Sequence, residues 1–174
     1  LKGLIILAKL RLKETPGTNL LVSMLIRYPE LSSLSLNAKT GMLTFTILLN
    51  GEVADEKRGE FSRFCADYFA VFQELEPSFG QFGTIGHSLM DNVTILTYEQ
   101  QVDRLNVTEL SLFMNLVRDF YAELCGDDLL PLQEDEVDAQ EEIIAKILGE
   151  KDTLRHEDSL VAYRDGGKVF VYNK

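Results

Sequence analysis

Residues 33 to 49 constrain the fold more tightly than any other stretch of the chain. Leu34 and Leu36 alternate with Ser33, Ser35 and Asn37, and Leu43, Phe45, Ile47 and Leu49 alternate with Thr44, Thr46 and Leu48. Successive side chains on a strand point to opposite faces, so each segment reads as a strand with one apolar and one polar face. Asn37-Ala38-Lys39-Thr40-Gly41 supplies turn residues between them and a glycine for the left-handed position, which makes the pair a hairpin. The outward residues are Ser and Thr rather than Lys and Glu. Such a surface suits solvent or a covering sheet equally, and it is the ground for expecting self-association as a dimer.

The hairpin sits inside a longer pattern. Leu4, Ile6, Ala8, Leu10 and Leu12 share one face of a first strand, with Lys9 and Arg11 on the other. Thr15-Pro16-Gly17 breaks that strand, and Thr18 or Asn19 caps a helix from Leu20 to about Tyr28, where Pro29 stops it. After the hairpin, the polar residues 51–57 lead into a long amphipathic helix carrying Phe61, Phe64, Cys65, Tyr68, Phe69, Phe72 and Leu75. Its rings fit a core helix, with a ligand pocket as the sharper alternative. A strand over Val93–Tyr98 completes a βαββαβ order, that of a ferredoxin-like α+β plait in which an antiparallel sheet carries helices on one face. The plait is assigned to residues 1–104. It hosts enzymes, sensors, RNA binders and dimerisation modules, so the fold names no activity.

Residues 105–126 form a third packing helix starting at Asn106 or Thr108, with Leu110, Phe113, Leu116, Val117, Phe120, Tyr121 and Leu124 inward. Residues 127–174 read as an acidic linker, a short helix at about 136–148, and a β-hairpin arm. In that hairpin Leu160-Val161-Ala162-Tyr163 and Lys168-Val169-Phe170-Val171-Tyr172 flank the turn Arg164-Asp165-Gly166-Gly167. A lone two-stranded hairpin is barely stable, so it must join a sheet edge, its own or a partner's.

Charge narrows the function. The net charge is −11, and the first 50 residues hold six of the 17 Lys and Arg against two acids. A polyanion is repelled over most of such a surface, and the one basic cluster, Lys2, Lys9, Arg11 and Lys13 with Arg27 and Lys39, reads as edge-strand charge, so no nucleic-acid partner is expected. Lys9, Arg11 and Lys13 also interrupt the N-terminal apolar run, which therefore reads as a strand and not a signal peptide; no run reaches the length of a membrane span. Cys65 and Cys125 both fall on apolar helix faces, as reduced thiols do in a reducing compartment, so a cytoplasmic location is expected.

The least ordinary segment is Pro77–Asp91, read as a loop between the long helix and the last plait strand. Gly80, Gly83 and Gly86 recur at spacing three with Phe79, Phe82 and His87 among them. The spacing fits neither the dinucleotide nor the P-loop pattern. Packing around a bend explains the glycines most simply. As a ligand loop, its contacts would be Phe79, Gly80, Phe82, Gly83, Gly86 and His87.

The catalytic inventory is thin. His87 with Asp91 is the best acid–base pair, and His156 lies in the acidic run Arg155-His156-Glu157-Asp158. Cysteine and histidine spacing fits no zinc site, and the acids between 127 and 142 lack the order of a calcium loop, so no metal or cofactor is expected. Three classes of function remain. The favoured one is a non-catalytic oligomeric module binding a small ligand or a protein partner; the others are a small-molecule enzyme using residues 80–91, and a structural subunit of a complex.

Overall fold

The expected hairpin is formed by β1 (Ser33–Asn37) and β2 (Met42–Asn50), with Leu34 opposite Phe45 and Leu36 opposite Leu43. It belongs to a computed structural model that describes residues 14–125, 132–154 and 158–174. The strand expected over residues 4–12 lies outside the described residues, as do the basic cluster at its centre, Asp127, Asp128 and His156. Asn37 Oδ1 accepts hydrogen bonds from the Lys39 and Thr40 amides at 3.0 and 3.3 Å, and Gly41 takes a φ of 70°. A side chain other than glycine's would be strained there.

Helix α1 (Pro16–Arg27) starts one turn earlier than the sequence suggested. Thr15, not Thr18 or Asn19, is the cap: its Oγ1 accepts from the Thr18 amide at 3.2 Å, and Pro16 occupies the first turn, where its missing N–H costs nothing. The residues that looked like a strand breaker are the helix's own start. At 12 residues α1 is too short to persist alone. Leu20, Leu21, Met24 and Leu25 are fully buried, each worth about 2 kcal/mol of transfer from water.

Helix α2 (Asp55–Leu75) leads to the main departure from expectation. Residues 84–90 are not loop but a strand, β3 (Thr84–Met90), joined to β4 (Val93–Gln101) by a two-residue turn. Asp91 and Asn92 both have positive φ, 49° and 62°, as the tight hairpin turn demands and as these two residue types tolerate. The extra strand reverses the chain. In a plait built on residues 1–104, Val93–Tyr98 would run parallel to the hairpin's second strand with the first strand between them. Here β4 pairs directly and antiparallel with β2, from Met42 opposite Gln101 to Asn50 opposite Val93. The class is therefore α+β with an antiparallel sheet and flanking helices, but the strand order is β3-β4-β2-β1-β5-β6.

The last two strands, β5 (Leu160–Asp165) and β6 (Lys168–Asn173), form the expected C-terminal hairpin. Its edge is the chain's own: β5 pairs with β1, Leu34 opposite Ala162 and Leu36 opposite Leu160. Helices α1, α2 and α3 (Val107–Tyr121) cover one face of the sheet, and α4 (Glu134–Gly149) packs on α1 and α3. Arg27 pairs with Glu141 at 2.8 Å, and the Tyr28 hydroxyl meets Ser111 Oγ at 2.9 Å, tying α1 to α4 and α3. No helix among the described residues is long and apolar enough to cross a membrane.

Candidate functional site

His87 lies on β3 opposite Leu96, so its side chain shares the helix-covered face with Ile85 and Leu89. Its Nε2 stands 3.3 Å from the Tyr121 hydroxyl at the end of α3, and the Phe61 ring of α2 meets the imidazole edge-on at 6.0 Å. Burial holds the His87 pKa below the ordinary histidine value, and the Arg58 guanidinium pushes it the same way. Burial likewise pushes the Tyr121 hydroxyl up to about 12. Near neutral pH the pair is a neutral imidazole beside a neutral phenol. Lys57 lies 5.9 Å from the Phe120 and Tyr121 rings, beside a cavity of about 230 Å³ that these residues line with Asp119.

Asp91 does not join this group. It is exposed in the β3–β4 turn, four residues along an extended strand from His87, which separates their backbones by about 13 Å. An acid–base pair needs hydrogen-bond reach.

The segment expected to contact a ligand packs through its rings against α2. Phe82 stacks face to face on Phe69 at 3.8 Å, and Phe79 stacks on Phe82 and meets Phe72 edge-on at 4.6 Å. Gly80 accepts a hydrogen bond from Gln73 Nε2 at 2.9 Å. At Gly83 a Cβ would stand 2.3 Å from the Glu99 carbonyl oxygen and 2.8 Å from the Tyr98 ring; at Gly86 it would stand 2.7 Å from Thr97 Oγ1. Two of the three glycines are there because the neighbouring strand comes too close for a side chain.

That close approach serves a buried polar network the sequence reading missed. The Gly83 amide donates to the Tyr98 hydroxyl at 2.8 Å, and that hydroxyl donates to Glu109 Oε1 at 2.6 Å. Gln100 Nε2 donates to the same carboxylate oxygen and to the Gln81 carbonyl, both at 2.9 Å. Glu109 is 2% exposed. A polar group at that depth needs hydrogen-bond partners, and donors from two residues of β4 converge on its Oε1. Burial, then the Glu109 charge, pushes the Tyr98 pKa well above the ordinary tyrosine range, so the hydroxyl remains a donor. The available signal was Asn106-Val107-Thr108-Glu109, a helix-cap pattern. Asn106 does cap α3, accepting from the Glu109 amide at 2.8 Å, but the Glu109 side chain turns to the sheet instead of back to the cap.

Two cavities of about 480 Å³ each lie elsewhere. One is at the β1–β2 turn beside Gln101 and Asp103, the other between Val22 and Ile147 of α1 and α4. Neither is lined by Phe79, Gly80, Phe82, Gly83, Gly86, His87 or Asp91. Cys65 is fully buried and Cys125 half-buried; both are free thiols. Among the described residues no three His, Cys, Asp or Glu side chains gather as a metal centre would require. No family model matches the chain, and neither the curated proteins nor the solved structures yield a match.

Proposed function

We propose that the protein is a non-catalytic interaction module that associates with a second copy through the helix-free face of its sheet. One observation carries the reading. The strand registers put Gly86, Thr97, Thr46, Ser33, Tyr163 and Phe170 in one row across all six strands, with Ser88, Ile95 and Leu48 on one side of it. Among the described residues the charged ones on this face are Glu99, Asp165 and Lys168, in a chain of net charge −11. A solvated sheet face in so charged a protein would be expected to carry its share of Lys and Glu; Ser, Thr and aliphatic residues instead suit a second sheet packed face to face. A two-fold axis through the central row would match the face to itself.

Catalysis has less support. His87 Nε2 faces the Tyr121 hydroxyl, Asp91 is out of reach, and the rings of residues 79–82 pack on each other and on α2. Sedimentation equilibrium on the wild type and on Thr46→Lys tests the reading, since Thr46 lies mid-row on the outer face. The expected result is a wild-type dimer in the micromolar range, dissociated by the buried charge of the variant. A wild type that stays monomeric over that range overturns it, as does a dimer indifferent to Thr46→Lys.

A further inference from the structure

We propose that the outward seam of α2 is a docking surface for an amphipathic helix with basic flanks, supplied by another protein. The proposal goes beyond self-association and is independent of it, because α2 lies on the opposite side of the sheet. Phe64, Tyr68, Val71 and Leu75 follow one another at steps of four, three and four, which sets them in a line along the helix. The core takes a neighbouring line, Phe61, Cys65 and Phe69. The outward line is largely uncovered: Tyr68 is 49%, Val71 57% and Leu75 73% exposed, and Phe64 is half-buried with its ring 4.9 Å from that of Tyr68. A surface helix normally presents polar residues there.

Beside this line runs a second one. Glu60, Asp67 and Glu74 recur every seventh residue and are all exposed, on the flank of the seam away from the core; Arg63 neighbours Glu60 and Asp67 on its outer side, and Lys57 stands at the N-terminal end of the seam, seven residues before Phe64. Apolar residues at steps of four and three with one acidic flank are half of a heptad interface. The line from Phe64 to Leu75 is about 16 Å long, the span of three helical turns. Charge selects the occupant. A second copy laid antiparallel along the seam would set Glu60, Asp67 and Glu74 against their own equivalents, adding repulsion to a chain already at −11. A helix with Lys or Arg beside its apolar line makes the same row attractive, by the helix-in-groove mode in which apolar anchors supply affinity and flanking charges supply selectivity.

The test uses two synthetic helical peptides that share a leucine seam and differ only in flanks, Lys in one and Glu in the other. Each is labelled and titrated with the full chain by fluorescence anisotropy. The basic peptide binds and the acidic one does not. Val71→Glu, at an exposed position whose helicity circular dichroism checks, weakens the basic peptide at least about tenfold. Reversing the acidic row with Glu60→Lys, Asp67→Lys and Glu74→Lys moves the preference to the acidic peptide, roughly tenfold for three such pairs. The proposal is overturned if the basic peptide does not bind, if it binds Val71→Glu equally, which would mean unspecific charge attraction, or if row reversal leaves the preference unchanged. It is also overturned if Val71→Glu dissociates a wild-type dimer, which would assign the seam to a second copy. Failure of the sheet-face dimer alone leaves every one of these readouts intact.

Discussion

The Tyr98 hydroxyl donates to Glu109 Oε1 at 2.6 Å and in the same position accepts from the Gly83 amide, so a single oxygen joins β4, α3 and the segment entering β3. Removing it exposes the cost of burial. Tyr98→Phe keeps the ring stacked on Phe113 at 4.2 Å but takes one donor from the buried carboxylate and the acceptor from Gly83, a loss of about 1–3 kcal/mol. Urea unfolding should show that loss in the midpoint with an unchanged slope; a cost near zero would mean water replaces the hydroxyl.

The two close-approach glycines should differ in severity. Gly83→Ala drives a Cβ toward a backbone carbonyl at 2.3 Å, which cannot move without shifting β4. Gly86→Ala meets Thr97 Oγ1, which can rotate away. Overpacking of the first kind costs about 1–3 kcal/mol or more, and the second should lose less. Thermal melts of the two variants side by side give the order directly.

His87 makes stability depend on pH in one direction. Its folded-state pKa is below the unfolded value of 6.5, through burial first and Arg58 second. The unfolded chain therefore binds the proton more readily, so the His87 contribution is complete above pH 6.5 and is lost as pH falls toward and through the folded pKa. NMR titration of the imidazole should show the depressed value. His87→Leu should flatten the fall in urea midpoint over that range, while an unchanged slope would assign the dependence to other groups.

Thiol reactivity should report unfolding. Burial pushes Cys65 up to about 12 and Cys125, with a smaller contribution from Glu30, up to about 11. Neither forms much thiolate at mildly alkaline pH. Labelling with a chromogenic disulfide should be slow in the native state, slower at the fully buried Cys65 than at Cys125, and fast in denaturant. Rapid native labelling of Cys65 would mean that α2 leaves the sheet readily.

The parts of this fold legible in the sequence are those with strict periodicity. Leu43, Phe45, Ile47 and Leu49 announce β2 because every second residue is apolar, and Gly166-Gly167 after Asp165 announces the last hairpin because both positions need positive φ. Strand β3 was obscured by its own packing. Gly86 reads as a breaker when it is a concession to Thr97, and His87 interrupts the apolar face between Ile85 and Leu89. The turn Asp91-Asn92 was the signal that could have restored it. Glu109 was hidden for a different reason: a glutamate at the third residue of a helix ordinarily belongs to the cap, and only the position of Tyr98 and Gln100 on β4 draws it into the core.

The pairing of β1 with β5 sets the timetable on which this sheet can be built. Leu36 meets Leu160, and the Ala38 amide donates to Ser159 Oγ at 3.0 Å, so one border of β1 stays without its neighbour until residues 159–173 have been synthesised. Loop closure over so long a separation is slow, and an open strand border is a template for pairing with other chains. A nascent chain halted before residue 159 would thus present Ser33–Leu36 without its β5 neighbour, a border open to pairing with other chains.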